Sequence, residues 1–156
     1  MESLSCCFTG HRRLPANKTE KIVTSLDREI ENLIAKGVTD FISGGAVGFD
    51  QIAASLIVAK KEMGRNIRLI FALPCQNQDS KWEEKQRVLY RNLLDEADEI
   101  IYVSEDYDPF CMKRRNHYMV EHSSYCICAL LHDKSGTSQT VSYARKKGLE
   151  IINTAK

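Results

Sequence analysis

The sequence predicts an α/β fold in three layers: a doubly wound, mainly parallel sheet with helices on both faces. Short apolar runs that suit strands alternate with segments of helical periodicity along all 156 residues. The strand-like runs are apolar at successive positions, as expected of strands buried on both faces. The glycines fall into two groups that agree with this pattern. Gly10, Gly44, Gly45, Gly48 and Gly136 follow strand-like runs, whereas Gly37, Gly64 and Gly148 follow helical ones, where they suit helix caps.

Taken in order, Leu4 to Thr9 reads as a short buried strand that stops at Gly10. From Ala16 to Lys36, Ile22, Val23, Leu26, Ile30, Leu33 and Ile34 recur at helical spacing. Val38 to Ser43 is a second strand, Asp50 to Met63 a second helix, and Ile67 to Leu73 a third strand closed by Pro74. Ser80 to Ala97 places Trp82, Leu89, Leu93 and Ala97 on one helical face. Glu99 to Val103 is a fourth strand, and Ser104 to Met112 reads as a loop with an acidic stretch from Glu105 to Asp108. A short helix from Lys113 to His122, a strand from Tyr125 to Leu131, a helix from Gly136 to Lys147 and a strand from Leu149 to Asn153 complete the alternation. No repeat, low-complexity segment or linker interrupts it, so residues 1–156 read as one domain.

Composition narrows the class of function. Apolar residues are 43% and charged residues 28%, ordinary for a soluble globular chain. With 22 basic and 21 acidic residues the net charge is +1, which lacks the basic bias of phosphate-backbone binders, and nucleic acid is not expected as a partner. No run is long and apolar enough to span a bilayer and the start carries no signal-peptide pattern, so no membrane partner and a cytoplasmic location are expected. Six cysteines occupy positions 6, 7, 75, 111, 126 and 128 without a C-x-x-C pair. They read as reduced, mostly buried thiols, no metal site is expected, and Cys111 sits in the loop.

Four clusters carry the chemistry, and a parallel sheet would gather them at the carboxyl ends of its strands. Thr9, Gly10 and Arg12 leave the first strand with a hydroxyl, a bare backbone and a guanidinium fork suited to phosphate. His11 and Arg13 between and after them read as loop residues. The second cluster is S-G-G-A-V-G-F-D, Ser43 to Asp50, in which Gly44, Gly45 and Gly48 let backbone N–H groups approach an anion at a helix start. It is neither the dinucleotide fingerprint nor the P-loop. Asp50 suits either ribose hydroxyls or the helix dipole. The third is Lys113 to Asn116, with Arg115 and Asn116 at a helix start, and the fourth is Ser135-Gly136-Thr137, a second phosphate cradle.

Together these motifs resemble a known family. Phe8-Thr9-Gly10-His11-Arg12, Ser43 to Asp50, Arg115-Asn116 with Met119-Val120, and Gly136-Thr137 stand in the order found in YpsA-like proteins. Those belong to the SLOG superfamily of Rossmann-like domains, with the Lonely Guy phosphoribohydrolases and the DprA/Smf proteins. The resemblance runs from Phe8 to about Ile152. It implies a Rossmann-like fold, a homo-oligomer, and a nucleotide or nucleotide-derived ligand such as NAD or ADP-ribose. By motif position it puts Gly10, Arg12, Gly44, Gly45, Gly48, Asp50, Arg115, Asn116, Gly136 and Thr137 in the pocket. Thr9 and Ser43 complete the candidate ligand-binding set.

One departure separates this chain from the hydrolases of the superfamily. Their R-K and G-G-x-G-T-x-x-E motifs have Arg115 here, but Asn116 replaces the lysine and Thr140 stands where the glutamate would be. A hydroxyl supplies neither a carboxylate base nor charge to an oxocarbenium-like centre. The expectation is therefore a sensor or sequestering module with no catalytic residues and no fixed cofactor. The alternative is a nucleotide or nucleoside N-glycosidic hydrolase using Arg115 with Asp50 or Glu121.

Overall fold

In the computed structural model, which describes residues 4–156, the strands are β1 (Leu4–Gly10), β2 (Val38–Ser43), β3 (Arg68–Leu73), β4 (Glu99–Tyr102), β5 (Tyr125–Ala129) and β6 (Glu150–Asn153). The helices between them are α1 (Ala16–Ala35), α2 (Phe49–Glu62), α3 (Glu84–Asp95), α4 (Cys111–Glu121) and α5 (Gly136–Lys146). All the strand pairs are parallel, in the order β4-β3-β2-β1-β5-β6. The fold is thus the expected α/β, Rossmann-like one. The chain steps outward from β1 to β4, then returns through α4 to lay β5 on the other side of β1. Strand order reverses between β1 and β5, which opens a crevice at their carboxyl ends.

The alternating pleat divides the core into two unlike layers. Phe8, Phe41, Phe71 and Ile127 point to the face covered by α1, α2 and α3, where Ile22, Leu26, Ile30 and Leu33 form one stripe along α1. Their sheet neighbours Cys7, Ile42, Ala72, Cys126 and Cys128 point the other way, under Met119 and Val120 of α4 and Val141 and Ala144 of α5. Small side chains there let α4 and α5 sit close to the sheet. All six cysteines are free and buried, and four of them fill this sheet as small apolar groups. A salt bridge of 2.6 Å from the nearly buried Lys60 to Asp27 ties α2 to α1.

Several expected boundaries move for local reasons. α3 starts at Glu84, four residues later than expected, because Glu83 and Gln86 form a capping box there. Trp82 therefore precedes the helix, Leu89 is exposed, and Tyr90 and Leu93 are the buried residues of α3. α4 starts at Cys111, so Cys111 is a buried first-turn residue and not a loop thiol. β4 and β6 are the sheet edges and are not buried on both faces: Ile100 and Tyr102 are exposed. No helix among the described residues is long and apolar enough to cross a membrane.

β1 and α2 approach each other closely at Gly10. A Cβ on Gly10 would stand 2.4 Å from the Phe49 ring, whereas one on Gly136 would meet nothing within 4 Å. Gly10→Ala is expected to lower stability by about 1–3 kcal/mol through overpacking. Gly136→Ala should stay within about 0.5 kcal/mol of the parent, since surface changes of that kind are near neutral. Urea denaturation of both variants checks the contrast.

Candidate functional site

A cleft of about 300 Å³ opens at the carboxyl ends of β1 and β5, where the strand order reverses. Thr9, Gly10, His11 and Arg12 form one wall as the chain leaves β1. Ala46 and Asp50 come from the turn into α2, Met112, Arg115 and Asn116 from α4, and Gly136 and Thr137 from the start of α5. These eleven residues come from four segments far apart in sequence, which the parallel sheet brings to one edge.

The glycine-rich turn builds the cleft more than it lines it. Gly45 and Gly48 have φ of 72° and 95°, a region that side chains rarely adopt. A Cβ on Gly48 would stand 2.3 Å from the Arg12 carbonyl oxygen, so the loop after β1 crosses directly over the turn. Phe49 N–H donates to the His11 carbonyl (3.2 Å) at the same crossing. Ser43 is fully buried: its Oγ donates to the Asp50 carbonyl (2.9 Å) and accepts from Gly45 N–H (3.2 Å). Ser43, Gly44, Gly45 and Gly48, expected at the ligand, are not among the residues that line this cleft: the Ser43 hydroxyl is engaged within the turn and the Gly44 carbonyl accepts from α4.

Arg115 locks α4 onto that turn. Its Nη1 donates to the Gly44 carbonyl at 2.7 Å and its Nε to Asn116 Oδ1 at 2.9 Å. A Cβ on Gly44 would lie 2.5 Å from Nη1, so only glycine leaves room for the guanidinium. The neighbouring Arg114 turns outward instead, pairing with Asp108 and donating to Ser104 Oγ at 2.9 Å. That contact gives the acidic loop its partner and holds the Asp108 carboxyl below its usual range.

Asp50 is the buried carboxyl of the cleft. Burial pushes its pKa up to about 6, against the opposing pull of Arg115, the Ala46 N–H and Arg12. Burial also lowers the pKa of Arg115, which the Asp50 charge raises. Opposite charges thus face one ligand-sized space, with a carboxyl poised near neutrality. Glu121, the other candidate carboxylate, is exposed at the end of α4 and accepts from the Tyr143 hydroxyl (3.3 Å), away from the cleft. Thr140 is buried and donates its hydroxyl to the Gly136 carbonyl (2.9 Å).

The start of α5 has its third N–H capped: Ser135 Oγ accepts from Ser138 N–H at 3.1 Å. Gly136 and Thr137, the first two residues of the helix, carry N–H groups with no intrahelical acceptor, beside the cleft. His11 holds this segment in place. Its Nε2 accepts from Leu131 N–H (3.1 Å) and its ring stacks on His132 with centroids 4.2 Å apart. Burial and His132 lower the His11 pKa, which favours the neutral ring that this hydrogen bond requires. His11, in the loop after β1, and Met112, in the first turn of α4, are lining residues that motif reasoning passed over; neither side chain belongs to a phosphate-binding pattern. Among the described residues, no group of three or more His, Cys, Asp or Glu is placed to hold a metal ion.

Comparison with known proteins places this geometry. The YpsA model, described as the YspA SLOG family, matches residues 7–151. A Bacillus subtilis protein described as the uncharacterized SPbeta prophage-derived protein YoqJ is 35% identical over 139 residues, 81% of this chain and 81% of that protein. A UPF0398 protein of Halalkalibacterium halodurans is 28% identical over 81% of this chain and 68% of its own length. Two solved chains share the fold. DNA processing protein A from Helicobacter pylori, described by its single-stranded DNA binding mode, aligns with a TM-score of 0.68 and 20% identity over 95% of this chain. DNA processing protein A from Streptococcus pneumoniae aligns with a TM-score of 0.66 and 15% identity over 96% of this chain. The present chain spans 63% and 49% of those two.

The DprA likeness corrects one expectation. Nucleic acid does not stand excluded as a partner, because the solved chains of this fold include one that binds single-stranded DNA. The net charge of +1 averages over the whole surface, whereas Arg12 and Arg115 are gathered at one cleft.

The raised pKa of Asp50 has a consequence for stability. Its carboxyl keeps a proton to higher pH in the folded chain than in the unfolded one. Between about pH 3.8 and 6 the folded state therefore binds more protons, and stability falls as pH rises through that window. Ionised Asp50 costs on the order of 2–3 kcal/mol above it. Asp50→Asn is expected to melt like the parent below pH 4 and at higher temperature above pH 7. Thermal melts across pH check this; parallel curves at every pH would contradict it.

Proposed function

Because the chain belongs to the YpsA family of SLOG proteins, we propose that its cleft binds a phosphorylated nucleotide or a nucleotide-derived molecule of the NAD or ADP-ribose kind. The observation that carries this reading is the pairing, in one cleft, of a buried carboxyl with a phosphate cradle. The N–H groups of Gly136 and Thr137, the bare backbone of Gly10 and the Arg12 fork supply donors for phosphate oxygens. Asp50 supplies the acceptor for ribose hydroxyls. A volume of about 300 Å³ is at the small end of ligand pockets and suits one nucleotide unit. The protein is a sensor or sequestering module in this reading: Thr140 gives its hydroxyl to its own helix, and among the described residues no second carboxylate lines the cleft. A related phosphorylated unit, with deoxyribose in place of ribose, occurs in single-stranded DNA, which the DprA likeness makes a partner to test.

A second reading has one observation in its favour. A carboxyl with a pKa of about 6 beside a buried guanidinium is the kind of group that serves as a general acid or base. Asp50 would then take a proton from a water whose oxygen bonds to C1′ of the ribose as the C1′–N bond breaks, and that proton passes to the departing base.

Calorimetry and thermal shift with AMP, ADP-ribose, NAD and a short deoxyadenylate strand separate these readings. Binding of the phosphorylated nucleotides is expected, with Arg12→Ala weakening it about ten- to a hundredfold through loss of a charge-assisted contact. Ligand recovered intact after long incubation supports the binding module; release of free base that Asp50→Asn abolishes supports the hydrolase. If none of the phosphorylated nucleotides binds, the reading fails. Binding of the strand alone would transfer it to nucleic acid.

A further inference from the structure

A second hollow, of about 440 Å³, adjoins the cleft and shares Arg12 and Met112 with it as a common wall. Its far side comes from the segment between β3 and α3, which contributes Gln78, Lys81 and Trp82, and from Tyr107 of the loop before α4. Neither β3–α3 segment nor Tyr107 has a part in the nucleotide site described above.

Trp82 is held in place by a chain of contacts that reaches the glycine turn. Its ring meets Tyr90 edge to face, with centroids 4.9 Å apart and planes at 67°. The Tyr90 hydroxyl accepts from Gln78 Nε2 at 3.1 Å, and the same amide donates to the Gly44 carbonyl at 3.3 Å. Burial raises the Tyr90 pKa to about 12, so the phenol stays protonated. An indole braced in this way is a preformed stacking platform, with little freedom left to lose on binding.

Gln78 forms part of the rigid inner wall of the hollow. It is only 8% exposed, and its Oε1 has no hydrogen-bond partner among the described residues. Its Nε2 is committed to two acceptors, which fixes the orientation of the amide and leaves Oε1 as an acceptor. That oxygen is itself enclosed, so the amide braces the wall of the hollow. Tyr107, by contrast, is 67% exposed at the mouth, an aromatic ring with nothing to cover. Lys81 and Arg12 make the surroundings cationic.

We propose that this hollow is a subsite for a second nucleobase, joined through phosphate to the nucleotide in the main cleft. The base stacks on Trp82 and Tyr107 closes over it. Arg12, on the common wall, takes the bridging phosphate. The inference rests on the nucleotide reading above and deepens it: the ligand carries two bases and not one. A free dinucleotide such as NAD and two successive nucleotides of a single strand share this chemistry.

Trp82 is the chain's single tryptophan, so its emission reports on this hollow alone. The full chain is titrated with AMP, NAD and a short deoxyadenylate strand, following affinity by calorimetry and Trp82 by fluorescence. A two-base ligand is expected to quench Trp82 and to bind at least about fivefold more tightly than AMP, as base–aromatic stacking would give. AMP should leave the emission nearly unchanged. Tyr107→Ala, at an exposed position that leaves the fold intact, should remove most of that advantage and keep AMP affinity within about twofold. Quenching by NAD alone identifies a free dinucleotide; quenching by the strand alone identifies its next nucleotide. If AMP binds but the two-base ligands gain nothing and do not quench, the subsite is refuted while the nucleotide site stands. If AMP, NAD and the strand all fail to bind, both are refuted together.

Discussion

A buried guanidinium resting on the carbonyl of a glycine is the contact on which the site depends. Arg115 Nη1 lies 2.7 Å from the Gly44 oxygen, in space that any Cβ at position 44 would fill. It joins α4, on one face of the sheet, to the turn between β2 and α2 on the other. Burying such a charge is expensive unless hydrogen bonds and a countercharge compensate. Gly44, Asn116 Oδ1 and the through-space pull of Asp50 supply that compensation. Burial of Asp50 outweighs the pull of Arg115 on it, and the pKa of its carboxyl is pushed up to about 6.

Around that contact the structure separates framework from lining. Ser43, Gly44, Gly45 and Gly48 spend their polar groups and their missing side chains on the turn and on the loop that crosses it. Thr9, Gly10, Arg12, Asp50, Asn116, Gly136 and Thr137 are left facing the cleft. The Gly44 carbonyl also receives Gln78, whose amide continues to Tyr90 and so to Trp82. One backbone carbonyl therefore anchors both the cleft and the hollow beside it. A shift at the glycine turn would be felt in both.

The fold was legible because its signals are local and repeated. Runs such as Val38–Ser43 and Arg68–Leu73, each followed or preceded by a glycine or proline, state their own periodicity, and the alternation implies parallel pairing. Where expectation and structure part, a longer-range or capping interaction decided. The capping box at Glu83 moved the start of α3 past Trp82, and sheet position left β4 and β6 at the edges. The candidate site was legible in its members but not in their duties. Motif spacing brought Gly10, Arg12, Asp50, Arg115 and Gly136 to one cleft, yet it had no means to show that Ser43 faces inward or that Glu121 lies on the outer surface.

By itself the sequence determined the class of fold, the strand ends at which a ligand would sit and the residue types able to meet a phosphate. Those follow from hydrophobic periodicity and from glycine's freedom, which act over a few residues. Tertiary structure alone decided that Arg115 rests on the Gly44 carbonyl, that Asp50 is buried enough for its pKa to rise to about 6, and that Trp82 and Gln78 stand beside Arg12. Burial, through-space charge and contact between segments as distant as Arg12, Trp82 and Arg115 depend on how the layers pack, and no local pattern encodes them.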